Sequence, residues 1–524
     1  MISFSFTFLI ASLIAVTQAT PLRRQSRQQQ GIQWHQCPDD KDSPLQCGNL
    51  TVPLDYSGEI SNATVPLELF RLPAANNQSN GSVLLNFGGP GANGRLNLFA
   101  YREILPAIIG GNHDLIAVVP RGTGNNTLRF SCYNTQLERI ASSLLYRTRA
   151  GNASDTTIGE LWVNSKFQAD ACYATRNRTG SFVSTGSTAR DLMSVVDALD
   201  EDGMLRYWGI SYGTVLGSTL AAMYPDRIDK MVLDGVANVH EFYQNKETEL
   251  FADSDKVLRG LFAGCVDASD QCPLGRNTTA DELEERFYAT LDKIKYAPYP
   301  VTLPGVGPQV IDYTTVKSRV FSDLYSPTLW PTTASFIDGL LNGNQTAIAE
   351  YLTIKLSQPS GMEDEAQFGI KCSDAFGSGS SPEDIARTIQ GRHDASRFGG
   401  DTADIVPMIC AHWKLAPKDR YDGDFRVKTK TPVLFIGNTF DPVTPLVSAR
   451  NVSSTFEGSV VLQHDGYGHG SLEQGSVCTV RATRAYFRDG TLPDANTKCD
   501  VSTSLYSGKT GWEKVFEEFG TGEQ

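Results

Sequence analysis

Ser211 stands in the stretch Gly209-Ile210-Ser211-Tyr212-Gly213. A serine hydroxyl attacks an ester or amide carbonyl once a base removes its proton, so the residue is a candidate nucleophile. The pattern is weak by itself, because with 47 glycines in 524 residues such a spacing arises by chance. Its surroundings make it specific. A β-run that ends at Trp208 and a small-residue helix that starts just after Ser211 must be joined by a very sharp turn. There the serine takes a strained backbone, and the residues two positions away on either side must be small, as Gly209 and Gly213 are. The turn lifts the hydroxyl above the sheet, and the helix N-terminus with the free N–H of Tyr212 would stabilise an oxyanion.

Of the seven histidines, His35 lies beside the leader, His113 begins a strand, and His240, His393 and His412 fall in or beside an insertion. His464 and His469 follow the last β-run in "LQHDGYGHGS". His469 is preferred as base, because Gly468 and Gly470 free its loop to hang the imidazole over a strand end, where open α/β sheets place their sites. His464 is assigned to the strand end. The acid that orients the imidazole is expected at Asp441, in the loop after the Val433–Ile436 run; the alternative is a structural Asp-Pro turn. The order Ser211, Asp441, His469 is the one required of nucleophile-elbow hydrolases. A second oxyanion N–H is expected from Gly88 in "NFGGPGANG", a loop that matches neither phosphate-binding glycine pattern. Arg121 in "PRGTG" either braces the site or forms a structural ion pair, the second being preferred.

These residues need a scaffold, and the chain supplies one pattern for it. Apolar β-runs at Ser82–Phe87, Leu115–Val119 and Asp229–Val236 alternate with helical stretches such as Leu192, Val195, Val196, Leu199, one apolar face at helical spacing. Gly48–Tyr56 and Thr64–Leu72 read as opening antiparallel strands. The expected fold class is α/β: a mostly parallel central sheet flanked by helices, with a large, mainly helical cap inserted before the last strands. The expected segments are a signal peptide (1–19), a disordered leader or propeptide (20–33), core (34–240), cap (241–426), core with a C-terminal module (427–505) and a tail (506–524).

The net charge of −13 argues against a nucleic-acid partner. Phe4–Thr20 is an apolar run of signal-peptide length, although no positive charge precedes it, and no later run is long enough to span a membrane. Arg23-Arg24 is a candidate processing site. N-x-[ST] sequons at Asn49, Asn62, Asn77, Asn80, Asn125, Asn152, Asn177, Asn277, Asn344 and Asn451 also fit a secreted, extracellular protein. The cysteines number ten, with no metal-type spacing, so disulfides are expected. Near neighbours are Cys37 with Cys47, Cys265 with Cys272, and Cys478 with Cys499; Cys132–Cys172 and Cys372–Cys410 would complete a sequential set, although spacing alone does not fix connectivity. No metal or organic cofactor is implied.

The motifs "GGPG" (Gly88–Gly91), "PRGTG" (Pro120–Gly124), "WGISYGT" (Trp208–Thr214), "GNTFDPVTP" (Gly437–Pro445) and "GYGHGS" (Gly466–Ser471) together resemble the proline iminopeptidase type of α/β-hydrolase serine peptidase, in its secreted tripeptidyl aminopeptidase-like branch. The segment Cys478–Cys499 resembles that branch's C-terminal module. The resemblance implies a nucleophile at Ser211, an acid at Asp441, a base at His469, oxyanion N–H groups at Gly88 and Tyr212, and a cap that sees a substrate's free N-terminus. Departures from the family pattern are Phe87 for a histidine, Val119 for an aspartate, Asn93 for a serine, and no serine after "RGTG"; they bear on substrate preference. The expected activity is exopeptidase cleavage from free N-termini through an acyl-enzyme, with a peptide or small ester as substrate. The alternative is a secreted carboxylesterase or lactonase acting on small metabolites; a catalytically silent binding protein would be expected to have lost a triad residue. Recognition of an N-terminal ammonium calls for acidic residues near the cap, and Glu241, Glu247, Glu249 and Asp374 are available.

Overall fold

The computed structural model describes residues 31–38, 43–60, 62–75, 79–124, 128–357 and 364–520. The expected signal peptide, leader residues 20–30, Asn77 and Asn125 lie outside the described residues. The strands are β1 (His35–Gln36), β2 (Gln46–Pro53), β3 (Thr64–Leu72), β4 (Ser82–Asn86), β5 (Asp114–Val118), β6 (Leu205–Ser211) and β7 (Ile228–Val236). They continue with β8 (Tyr299–Leu303), β9 (Gly307–Ile311), β10 (Leu434–Phe440), β11 (Val460–Tyr467) and β12 (Lys498–Asp500). Ten of them form one sheet in the order β1-β2-β3-β5-β4-β6-β7-β10-β11-β12, and β8 and β9 make a separate hairpin. The first three ladders are antiparallel and every ladder from β5 to β12 is parallel.

The central strands are apolar on both faces because helices cover both. Leu84 of β4 faces a core with Leu192, Val195 and Val215, while Val83 and Leu85 face the opposite core with Leu105, Ile108 and Trp208. Each such side chain contributes roughly 1.5–3 kcal/mol by leaving water. The parallel strands β4, β6, β7, β10 and β11 all run the same way, so the loops after them meet along one sheet edge. That edge receives Gly88–Gly91, Ser211, Asp441 and His469.

Between β7 and β10 the chain is mainly helical and owns a separate core of Leu258, Phe262, Phe287, Trp330, Phe336 and Phe398. The layer over the sheet edge has a second contributor. The helix Thr157–Arg176 packs on the helix Ile405–Ala411; Cys132–Cys172 ties the first to an earlier loop, and Cys372–Cys410 ties the second to the helix Asp364–Asp374. The remaining disulfides are Cys37–Cys47, Cys265–Cys272 and Cys478–Cys499. The stretch expected as a C-terminal tail includes the helix Trp512–Phe519, packed on the core. Trp512 and Val515 are buried on its inner face, and the Trp512 indole N–H donates to Leu472 O at 3.0 Å. Ile32, expected in the leader, packs against the core. All eight described sequon asparagines are exposed, so each is open to a glycan. Among the described residues no helix is long and apolar enough to cross a membrane.

Candidate active site

Strand β6 ends at Ser211 and the helix Tyr212–Met223 begins at the next residue, so no loop separates them. Ser211 takes φ 58° and ψ −125°, a left-handed conformation that costs a non-glycine residue of order 1–3 kcal/mol and is retained where function needs it. The flanking glycines are a steric necessity. A Cβ at Gly209 would lie 2.1 Å from Gly213 O, and one at Gly213 would lie 2.3 Å from Asn86 O, contacts to backbone that cannot move aside. Gly213→Ala is therefore expected to destabilise the fold by about 3 kcal/mol. The check is the thermal unfolding midpoint, which should fall by several degrees; an unchanged midpoint would remove the steric argument.

His469 reaches the same edge on a loop held from three sides. Asn438 Nδ2 donates to Gly468 O at 2.9 Å and to Gly470 O at 2.8 Å. Asp234 accepts from the Ser471 N–H at 3.0 Å and its hydroxyl at 2.6 Å, and the His469 N–H donates to Tyr325 O of the cap at 2.8 Å. Asp441 is fully buried behind the imidazole, its oxygens 3.2 and 3.1 Å from His469 Nδ1. The backbone N–H groups of Val443, Thr444 and Gly470 all donate to the same carboxylate. Burial works against the Asp441 charge, yet His469 and these donors outweigh it and hold its pKa below the usual carboxylate range. Burial likewise opposes the imidazolium, but the Asp441 charge and hydrogen bond, with Glu473 and Asp234 nearby, raise the net pKa of His469.

Thr444 escaped the sequence reading. Its hydroxyl donates to Asp441 Oδ2 at 2.8 Å and lies 2.9 Å from His469 Nδ1, closer than either Asp441 oxygen. With its hydrogen given to Asp441, Thr444 Oγ1 accepts from the Nδ1–H and shares the task of fixing the tautomer. Its place three residues after Asp441 in "DPVT" was the available signal. Thr444→Val should lower kcat/KM about 10- to 100-fold, as for other partners that orient an imidazole, and Thr444→Ser should restore most of it. Equal activity in Thr444→Val and the parent would refute this role.

Ser211, Tyr212 and His469 line one cavity of about 530 Å³, within the range of small-ligand sites. The Gly88 N–H expected in the oxyanion site has another acceptor, Asn86 Oδ1 at 3.0 Å, because Asn86 turns its side chain back at the end of β4. Gly88 instead serves close packing: at φ 89°, its Cβ would sit 2.7 Å from Ser211 Cβ. Gly89 is the residue of that loop on the cavity wall. Tyr212, in the first helical turn, has an N–H without an intrahelical partner.

The other candidates sort cleanly. His464 is fully buried in β11, bonded to Thr479 Oγ1 at 2.9 Å, and burial lowers its pKa to about 4. Arg121 forms a buried ion pair with Asp191 and donates to Pro53, Leu54 and Phe182 carbonyls, a structural tie. Of the acids noted for ammonium recognition, only Glu247 lines the cavity, and Lys371 and Arg392 both pair with it. The unforeseen wall carboxylate is Glu473, four residues after His469, which accepts from Tyr101 Oη at 3.3 Å; burial raises its pKa. Phe87, one of the departures, lines the cavity and stacks on Tyr101 with ring centroids 6.1 Å apart.

Comparison with known proteins agrees with this architecture. Residues 83–270 match the family model described as alpha/beta hydrolase fold, and residues 396–499 match the TAP-like protein model. The chain is a hydrolase of the α/β-hydrolase superfamily. Within it, the chain is similar to the serine protease Hip1 of Mycobacterium tuberculosis (strain ATCC 25618 / H37Rv), at 25% identity over 86% of this chain and 87% of that one. It is equally similar, at 25% identity over 90% of this chain and 86% of the relative, to the tripeptidyl aminopeptidase of Streptomyces lividans. The putative hydrolase YuaR of Escherichia coli (strain K12) matches at 25% identity over 84% of this chain and 86% of its own length.

Proposed function

We propose that the chain is an exported serine peptidase that releases residues or short peptides from free N-termini. The observation that carries this reading is an elbow serine and an Asp441-bound histidine on the wall of one capped cavity. Five disulfides and exposed sequons support export. Because Nδ1 of His469 is occupied by Asp441 and Thr444, Nε2 is the nitrogen left to take the Ser211 proton. Ser211 Oγ bonds to the peptide carbonyl carbon, and the oxyanion meets the N–H groups of Tyr212 and Gly89. His469 Nε2–H then protonates the leaving amine as the C–N bond breaks, and a water deprotonated by the same nitrogen frees the acyl group.

The N-terminal ammonium is assigned to Glu473, a cavity carboxylate that forms no ion pair with a lysine or arginine among the described residues. Its charge stands beside His469, at the reacting end of the cavity. The experiment uses two fluorogenic aminoacyl amides, in which the α-ammonium lies next to the scissile carbonyl, that differ only by N-acetylation. The free amine is expected to be cut at least about 100-fold faster in kcat/KM, an advantage of about 2.7 kcal/mol, and Glu473→Gln should erase most of it. Equal cleavage of both would overturn the free-N-terminus requirement, and cleavage only of esters would replace this reading with the carboxylesterase or lactonase one.

A further inference from the structure

The cap wall of the cavity has a charge arrangement that the hydrolytic chemistry does not use. Lys371 and Arg392 both line the cavity, both are buried, and both pair with the single carboxylate of Glu247. Lys371 and Arg392 share one directly paired carboxylate, while Asp374 lies within electrostatic reach of Lys371, and Asp404 and Glu241 within reach of Arg392. Two of these carboxylates have partners of their own: Asp374 accepts from the Thr185 N–H and hydroxyl, and Asp404 is 2.8 Å from His393 Nε2. The guanidinium is held in place, with Nε donating to Lys246 O at 3.2 Å and Nη1 to Ala403 O at 3.0 Å. Lys371 Nζ has three donors, and Glu247 needs only one of them. Glu247 itself sits at φ 47°, a conformation that a long side chain adopts at a cost, which marks a place where position matters more than stability. A buried ammonium with donors to spare gains from a further anionic acceptor.

We propose that this wall is a subsite for a carboxylate of the substrate, bound by Lys371 Nζ with Arg392 as the second positive charge. The carboxylate comes either from an acidic side chain or from the C-terminus of a short peptide. The cavity then has opposite polarity at its two ends, Glu473 beside His469 and the cation pair on the cap. This deepens the peptidase reading by naming a substrate class, acidic or short free-acid peptides, and its test is independent of turnover.

The full chain carrying Ser211→Ala is titrated by calorimetry with three kinds of tripeptide, all with free N-termini. One has glutamate, placed in turn at each position, and an amidated C-terminus; one has glutamine and a free C-terminal acid; one has glutamine and an amidated C-terminus. At least one anionic form is expected to bind about tenfold more tightly than the neutral form, and which one identifies the source. Adding Lys371→Met should remove that advantage while leaving a balanced Arg392–Glu247 pair. Equal affinity for all three peptides, no binding of any, or an advantage that survives Lys371→Met would overturn the proposal. The wild-type-like comparison among peptides stands even where Lys371→Met fails to fold. N-acetylated versions of the same peptides report separately on the free N-terminus, so the two readings fail independently.

Discussion

Ser211→Ala is expected to lower kcat on a tripeptide amide by on the order of 10⁴- to 10⁶-fold. The size follows from the loss of the covalent route altogether: no other group on the elbow can form an acyl-enzyme, and the oxyanion donors alone act only on a slow direct attack by water. The variant retains the Cβ and hence the backbone strain at φ 58°, so the unfolding midpoint should stay near that of the parent. That combination separates chemistry from folding. A large loss of activity with a large loss of stability would say that Ser211 is a structural turn residue, and activity within tenfold of the parent would say that the nucleophile lies elsewhere.

Asp441→Asn should cost about 10⁴-fold in kcat near neutral pH. The buried carboxylate holds the Nδ1–H tautomer, and an amide nitrogen turned toward Nδ1 would favour the wrong one. The pH dependence gives a second readout. Asp441 is the main group that raises the His469 pKa against burial, so its charge sets how high the acidic limb of the rate profile lies. A base with a raised pKa is active above that pKa and is protonated, and lost, as pH falls through it. Without the Asp441 charge, desolvation pulls the His469 pKa down, and the acidic limb of kcat/KM should move to lower pH. A limb that stays in place in Asp441→Asn would mean that another group controls the base.

The elbow could be read from sequence because its demands are local. A strand, a serine, two glycines and a helix lie within one stretch, and the steric need for Gly209 and Gly213 is met by atoms a few residues away or on the neighbouring strand. His469 was separable from His464 by the same kind of local argument, glycines against a β-run. What could not be read depends on long-range convergence or on one-residue register. Lys371 and Arg392 meet Glu247 only because two cap helices, Asp364–Asp374 and Pro382–Ala395, fold onto a loop more than a hundred positions earlier. That the Gly88 N–H is taken turns on where the Asn86 side chain goes, which a glycine-rich motif does not reveal. The helix Thr157–Arg176 was silent because its buried face, Leu161, Ser165, Ala169 and Cys172, is built mostly from small residues, and hydrophobic periodicity does not register those. The helix Trp512–Phe519 was missed because its apolar side, Trp512 and Val515, lies in a short run that ends near the terminus.

The central claim is that Ser211 is a nucleophile activated by His469, and covalent labelling addresses it without any assumption about substrate. The protein is treated with a fluorophosphonate, digested, and the modified peptide identified by mass spectrometry. One equivalent on Ser211, formed much more slowly in His469→Ala, is the predicted result. An adduct on another residue, or labelling of Ser211 at the same rate without His469, would contradict it.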